Sequence, residues 1–123
     1  MAGLFTSPIF LACHRALDAL SLRHQAISNN IANVNTPGYK AMEVSFEAEL
    51  ERALKEQGDP VAISDAEITV TRENTVYRAD GNSVDVDREM ARLAENTERY
   101  NAIAQLVSTR LRMLRSVVNE GRR

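Results

Sequence analysis

The sequence predicts a mainly α fold: long N- and C-terminal helices pairing as a coiled coil, with a short helix and a small extended or β-like insert between them. Two observations carry most of this. Apolar residues recur at alternating steps of three and four in two long stretches, one at each end of the chain, as a helical seam requires. The only run of alternating β-branched residues lies in the middle, where Ile68 and Val70 interleave with Thr69 and Thr71. A chain of 123 residues then accommodates one structural unit, read in three segments: 1–40, 41–83 and 84–123.

The first helix opens at Ser7-Pro8, with Ser7 as N-cap and Pro8 at the first helical position, where its missing N–H costs nothing. Its seam is Phe10, Cys13, Leu17, Leu20, His24, Ile27, Ile31 and Val34. A helix of that span is about 40 Å long, a projecting rod against so small a protein. Residues 41–58 predict a weaker, amphipathic helix. Ser45 can cap it, Phe46, Leu50, Ala53 and Leu54 share one face, and Gly58-Asp59-Pro60 ends it. Residues 61–83 read as one or two short strands or an extended loop, closing at the turn Asp80-Gly81-Asn82. The second long helix covers 84–118, capped by Asp85 or Asp87. Its seam is Val86, Met90, Leu93, Thr97, Tyr100, Ala104, Val107, Leu111, Leu114 and Val118. Ile103, Leu106, Met113 and Val117 form a second apolar strip beside that seam, free for another chain. In this picture 41–83 is a mobile insert at the far end of the paired helices.

Composition narrows the function. Aromatics are 5% and Trp is absent, so a core filled by large rings is not expected. A net charge of −2 gives no general case for nucleic acid. The charge is uneven, acidic over 43–67 and arginine-rich at the C-terminus. The single cysteine, Cys13, excludes an internal disulfide. No run approaches the roughly 18 apolar residues of a membrane span, and Ile9–Cys13 is too short for a secretory core, so neither membrane insertion nor a cleaved signal peptide is expected.

Catalytic and ligating residue types do not cluster. His14 and His24 do not share a helix face, no metal-ligand spacing is present, and Gly58 and Gly81 stand alone rather than in a phosphate-binding loop. The acids of "DGNSVDVDRE" lack the calcium-loop order. The reading is a structural protein, not an enzyme, with no cofactor, metal or catalytic residue.

The stretch that remains unusual is "SNNIANVNTPGYK", residues 28–40. Asn29, Asn30, Asn33 and Asn35 surround Ile31 and cost a helix roughly 2–3 kcal/mol in propensity relative to alanine. Thr36, Pro37 and Gly38 force a stop, and Tyr39 and Lys40 follow. A helix end explains the stop but not the surplus of amides. These amides are expected to bond to another subunit.

That stretch resembles the N-terminal signature of the bacterial flagellar axial proteins, which pair an N-terminal heptad segment with a C-terminal one. "DGNSVDVDREMARLAENTERYNAIAQLVSTRLRMLRSVV" is similar to the end of the proximal rod proteins within that group. A sister rod protein, FlgC, would show a "YEANV"-like stretch where this chain has Tyr100-Asn101-Ala102-Ile103. The resemblance implies a non-enzymatic subunit of the flagellar rod that polymerises with itself through its terminal helices. It implies Asn29–Tyr39 as an assembly motif and FlgC-like and FliE-like subunits as partners. It also implies unfolded export through the flagellar type III gate into the periplasm. An export-gate motif of Phe, three residues and an apolar residue fits Phe5 and Ile9, or Phe46 and Leu50. The alternatives are a FlgC-like sister subunit and a cytoplasmic helical-hairpin adaptor or chaperone; the latter would gain nothing from the asparagine-rich loop.

Overall fold

The computed structural model describes residues 7–56, 59–76 and 78–121. Among these residues six elements follow in chain order: helix α1 (Pro8–Ala32), strand β1 (Met42–Ser45), helix α2 (Glu47–Glu56), helix α3 (Pro60–Ser64), strand β2 (Thr69–Arg72) and helix α4 (Val86–Glu120). The architecture is mainly α, with long terminal helices and a small two-stranded antiparallel sheet between them.

Local chemistry sets the helix ends. Ser7 Oγ accepts from the Phe10 N–H at 3.3 Å, with Pro8 in the first turn. Asn33 closes α1, its N–H donating to the Asn29 carbonyl at 3.1 Å. Val34 is thus in the turn after the helix and not on its seam. At α4 the cap is Asp85, whose side chain accepts from the Asp87 and Arg88 N–H groups, while Asp87 and Glu89 sit in the positive first turn.

The two long helices run antiparallel. Asn30 near the end of α1 meets Glu89 near the start of α4, and Leu20 meets Asn96. In that register α4 passes the Pro8 end of α1 by about ten residues, or about 15 Å at the helical rise.

The middle of the chain departs from expectation. It is not a detached insert at the far end but packs back along α1. The core consists of Ala12, Ala16, Ala19 and Leu20 of α1 against Phe46, Leu50, Ile63 and Ala66. Ile103 of α4 packs against its edge. The reason is four of the alanines of α1, at 12, 16, 19 and 26, all buried, which form a small-residue face that lets other elements approach closely. Phe46 and Leu50 then fill the space above it.

β1 and β2 pair with Met42 opposite Arg72 and Ser45 opposite Thr69. Such a ribbon needs outside support, and Arg23 of α1 supplies it. Its Nε and Nη2 donate to the Val44 carbonyl at 3.1 and 2.6 Å, and its Nη1 pairs with Glu47 Oε1 at 2.6 Å. Its guanidinium carbon lies 5.0 Å from the centre of the Phe46 ring. Ser45 does not cap α2. It ends β1, and the helix begins with the Phe46 carbonyl accepting from the Leu50 N–H. Asp59 caps α3, accepting from the Val61 N–H at 3.1 Å, so Asp59-Pro60 starts a helix as well as following one.

The seams also shift. Leu20 and Ile27 are buried on α1 as expected, Phe10, Leu17 and Ile31 are half-buried, and His24 is exposed. On α4 the buried residues are Glu89 and Asn96. Met90, Tyr100 and Leu111 face solvent, at 52%, 38% and 40% exposure, whereas Leu93, Val107, Leu114 and Val118 are half-buried. Over the first turns of α4 the inward face therefore lies about one position from the predicted seam, with Glu89 and Asn96 in place of Met90 and Thr97, whereas further on Ala104, Val107, Leu114 and Val118 of the predicted seam are the covered residues. Polar residues occupy it because each finds a bonding partner on α1.

Candidate assembly site

The asparagine-rich turn is held by the stretch that leads into α4. Gly38 and Gly81 both have positive φ, at 73° and 82°, and a Cβ on Gly81 would meet Gly38 Cα at 3.5 Å. Two turns are thus pressed together backbone to backbone. The Gly38 N–H donates to the Asp80 carbonyl at 2.9 Å, the Ser83 N–H to the Tyr39 carbonyl at 3.0 Å, and the Ala41 N–H to Ser83 Oγ at 2.7 Å.

Asn82, fully buried, completes the junction. Its Nδ2 donates to the carbonyls of Asn33, Val34 and Thr36, and its Oδ1 accepts from the Val84 N–H at 2.7 Å. It thereby satisfies carbonyls that the end of α1 leaves free. Lys40 Nζ donates to the Gly81 carbonyl at 2.7 Å, Arg78 donates to the Val34 carbonyl, and Arg72 stacks over Tyr39 at 5.4 Å.

Asn30 is the second anchor and is also fully buried. Its Nδ2 donates to the Met42 carbonyl at 2.9 Å and to Glu89 Oε2 at 3.0 Å. Its Oδ1 accepts from the Met42 N–H at 2.8 Å and from the Tyr39 hydroxyl at 3.3 Å. Glu89 in turn accepts from Arg92, which reaches on to Glu43 at 2.8 Å. One side chain thus joins α1, β1, the turn and α4.

This corrects the expectation for the surplus amides. Asn30 bonds within its own chain, and Asn33 Nδ2 donates to the Asn29 carbonyl at 2.7 Å, with Asn33 Oδ1 accepting from Thr36 at 3.1 Å. Asn29, Asn35, Thr36, Pro37 and Gly38 remain exposed, and Ile31 and Tyr39 are half-buried. The motif is therefore mixed: an internal clasp with an exposed rim. Composition alone did not separate Asn30 from Asn35. The signal was there in the spacing, because Asn30 follows Ala26 and Ile27 on the inward face.

Asn82, Glu89 and Asn96 were missed as site residues because each is polar. Asn96 Nδ2 donates to the Leu20 carbonyl at 3.0 Å, while its Oδ1 is buried with no hydrogen-bond partner. Electrostatics support the same core. Burial pushes the Glu47 carboxyl up, but the Arg23 guanidinium and the Glu47 and Phe46 backbone amides outweigh this and hold it at about 2. Burial raises the Cys13 thiol, with Arg110 opposing.

Of the two export-gate candidates, Phe5 lies outside the described residues and Ile9 is exposed, while Phe46 and Leu50 are buried in the core. Among the described residues no three His, Cys, Asp or Glu side chains gather to hold a metal, and no described helix is long and apolar enough to cross a membrane. His14 lies 3.6 Å from Asp18 on an exposed face, and His24 lines a shallow groove with Tyr100 and Asn96.

What the site offers is exposed surface. Beside its inward face, α4 presents Leu106, Leu111, Met113 and Val117 to solvent, at 40–64% exposure. Comparison with known proteins agrees in kind. Residues 12–40, the body of α1 and the turn, match a family described as "Flagella basal body rod protein". The flagellar basal body rod protein FlgB of Bacillus subtilis is 35% identical over 116 residues, covering 87% of this chain and 90% of the relative. FlgB of Borrelia hermsii is 34% identical over 94% of this chain and 98% of its own. FlgB of Escherichia coli is 28% identical over 86% and 89%. At this identity and coverage, the chain belongs to the FlgB family of flagellar basal body rod proteins.

Proposed function

We propose that the chain is a structural, non-enzymatic subunit of the flagellar proximal rod, required for rod assembly and hence motility. The observation that carries this reading is the exposed apolar strip of α4 in a chain of this family. One face of α4 is used by α1, and the other is left for neighbours. Copies of the chain and other rod subunits, FlgC-like and FliE-like among them, are the proposed neighbours, with the rim Asn29, Asn35 and Thr36–Gly38 as a further contact. Export through the type III gate in an unfolded state, and residence in the periplasmic part of the basal body, complete the proposal. An unfolded chain would offer Phe46 and Leu50 to the gate, which the folded chain buries.

The test separates folding from assembly. Leu111→Asp places a carboxylate on a side chain already 40% exposed in the monomer, so the isolated chain should lose only about 1–2 kcal/mol, from helix propensity and the covered part of the side chain. In a rod interface the same carboxylate is buried without a partner. Cells carrying it should lack the chain in purified hook–basal bodies, scored by mass spectrometry, and should not swim. Normal swimming with the variant present in basal bodies refutes the use of this face.

A further inference from the structure

Two patches of this chain are complementary in charge, and their described residues form no ion pair with each other within one molecule. The first is the part of α4 that runs beyond Pro8. From residue 108 to its end at Glu120 this helix carries three Arg against one Glu. Arg112 and Arg115 are exposed, and neither has a described carboxylate within ion-pair distance. The second patch is α2–α3. Residues 47–67 carry seven acids against two bases. Glu47, Glu49 and Glu51 are paired internally and Asp59 caps a helix. Glu56, Asp65 and Glu67 are exposed and take no described ion pair. Each patch also shows apolar surface: Met113 and Val117 on the first, Leu54 and Val61 on the second.

The fold keeps them apart. α3 is fixed beside the first half of α1, where Ile63 joins the Ala12–Leu20 cluster and Arg15 Nε donates to the Ala66 carbonyl at 2.9 Å, whereas the basic end of α4 lies past the start of α1. Each patch is therefore left for a partner.

We infer that the basic C-terminal end of α4 in one copy docks on the acidic α2–α3 face of a second copy. This rests on the reading above that copies of the chain assemble in the rod. The two surfaces differ, so the contact is heterologous, and a heterologous contact that does not close propagates along an axis instead of ending at a dimer. Rim charges of this kind steer and select partners, with the apolar residues inside them supplying the contact area.

The experiment co-expresses two tagged full-length chains in a deletion strain, both Cys13→Ser, one with Arg115→Cys and the other with Glu67→Cys. Basal bodies are isolated under mild oxidation. A disulfide-linked species carrying both tags is expected. Its absence from basal bodies that contain both chains overturns the contact while leaving the rod reading intact. A cross-link from Arg115→Cys to a different rod protein alone also overturns it.

A charge swap gives an independent measurement. Arg112→Glu with Arg115→Glu should lower incorporation about tenfold or more, and adding Asp65→Arg with Glu67→Arg in the same chain should restore it. Undiminished incorporation of the first variant, or no recovery in the second, refutes the inference. A deletion strain that builds normal rods and swims would instead remove the reading beneath it.

Discussion

Asn30→Ala tests whether the asparagine-rich turn is an internal clasp. The substitution leaves the Met42 N–H and carbonyl and one Glu89 oxygen without their side-chain partner, all at a fully buried position. Two neutral hydrogen bonds contribute about 1 kcal/mol each, and the bond to the carboxylate about 1.5–3. The bond from Tyr39, at 3.3 Å, is long and the ring half-exposed, so it adds little. Against this, alanine is the better helix former by about 0.6 kcal/mol. The net loss is about 3–4 kcal/mol, a large part of the 5–15 kcal/mol typical of a folded domain. Asn35→Ala, in the same motif but exposed, should change stability by less than about 0.5 kcal/mol. Urea denaturation followed by far-UV circular dichroism measures both. If Asn30→Ala costs under 1 kcal/mol, or if the two variants cost the same, the clasp is wrong. The motif would then act only between subunits.

Further outcomes follow from the same contacts. Glu47 is held at about 2 in the folded chain against 4.5 ordinarily, so the stability it contributes is present above pH 4.5 and is lost as the pH falls towards 2. With its side chain 48% exposed, screening limits that contribution to about 1 kcal/mol. The urea midpoint of the wild-type chain should fall more over that interval than that of Glu47→Gln. Asn96→Leu should raise the unfolding free energy by about 1 kcal/mol, read as a higher urea midpoint, since it removes a buried oxygen with no partner. It should also loosen the choice of helix register, visible as mixed oligomers in size-exclusion chromatography. Gly38→Ala has room for its Cβ but a φ of 73°, so it should cost about 1 kcal/mol, with Gly38→Asn milder, by the same denaturation assay.

Some of the fold was legible because it is local. Ser7-Pro8 and Asp85 announce their helix starts through side chains that act within three residues. β2 was visible in the Ile68–Thr71 alternation. β1 was not read: Met42–Ser45 alternates apolar and polar side chains, but over only four residues that run straight into the amphipathic α2, and it is held as a strand by pairing with β2 and receiving Arg23. α3 was hidden behind Asp59-Pro60, which reads equally as the end of one helix and the cap of the next.

The sequence by itself determined that two long helices bracket a short mixed segment, and that the asparagine-rich turn is out of the ordinary. Hydrophobic periodicity and capping act over a single helical turn, so no folded partner is needed to see them. Only the tertiary structure decided which faces turn inward. Alanines at 12, 16, 19 and 26 carry little apolar surface of their own and become a core face only when Phe46, Leu50 and Ile63 pack on them. Asn30, Glu89 and Asn96 can be buried because their partners arrive from 59 and 76 residues away in the chain. A polar group without such a partner would stay in water, and no local pattern records whether the partner comes.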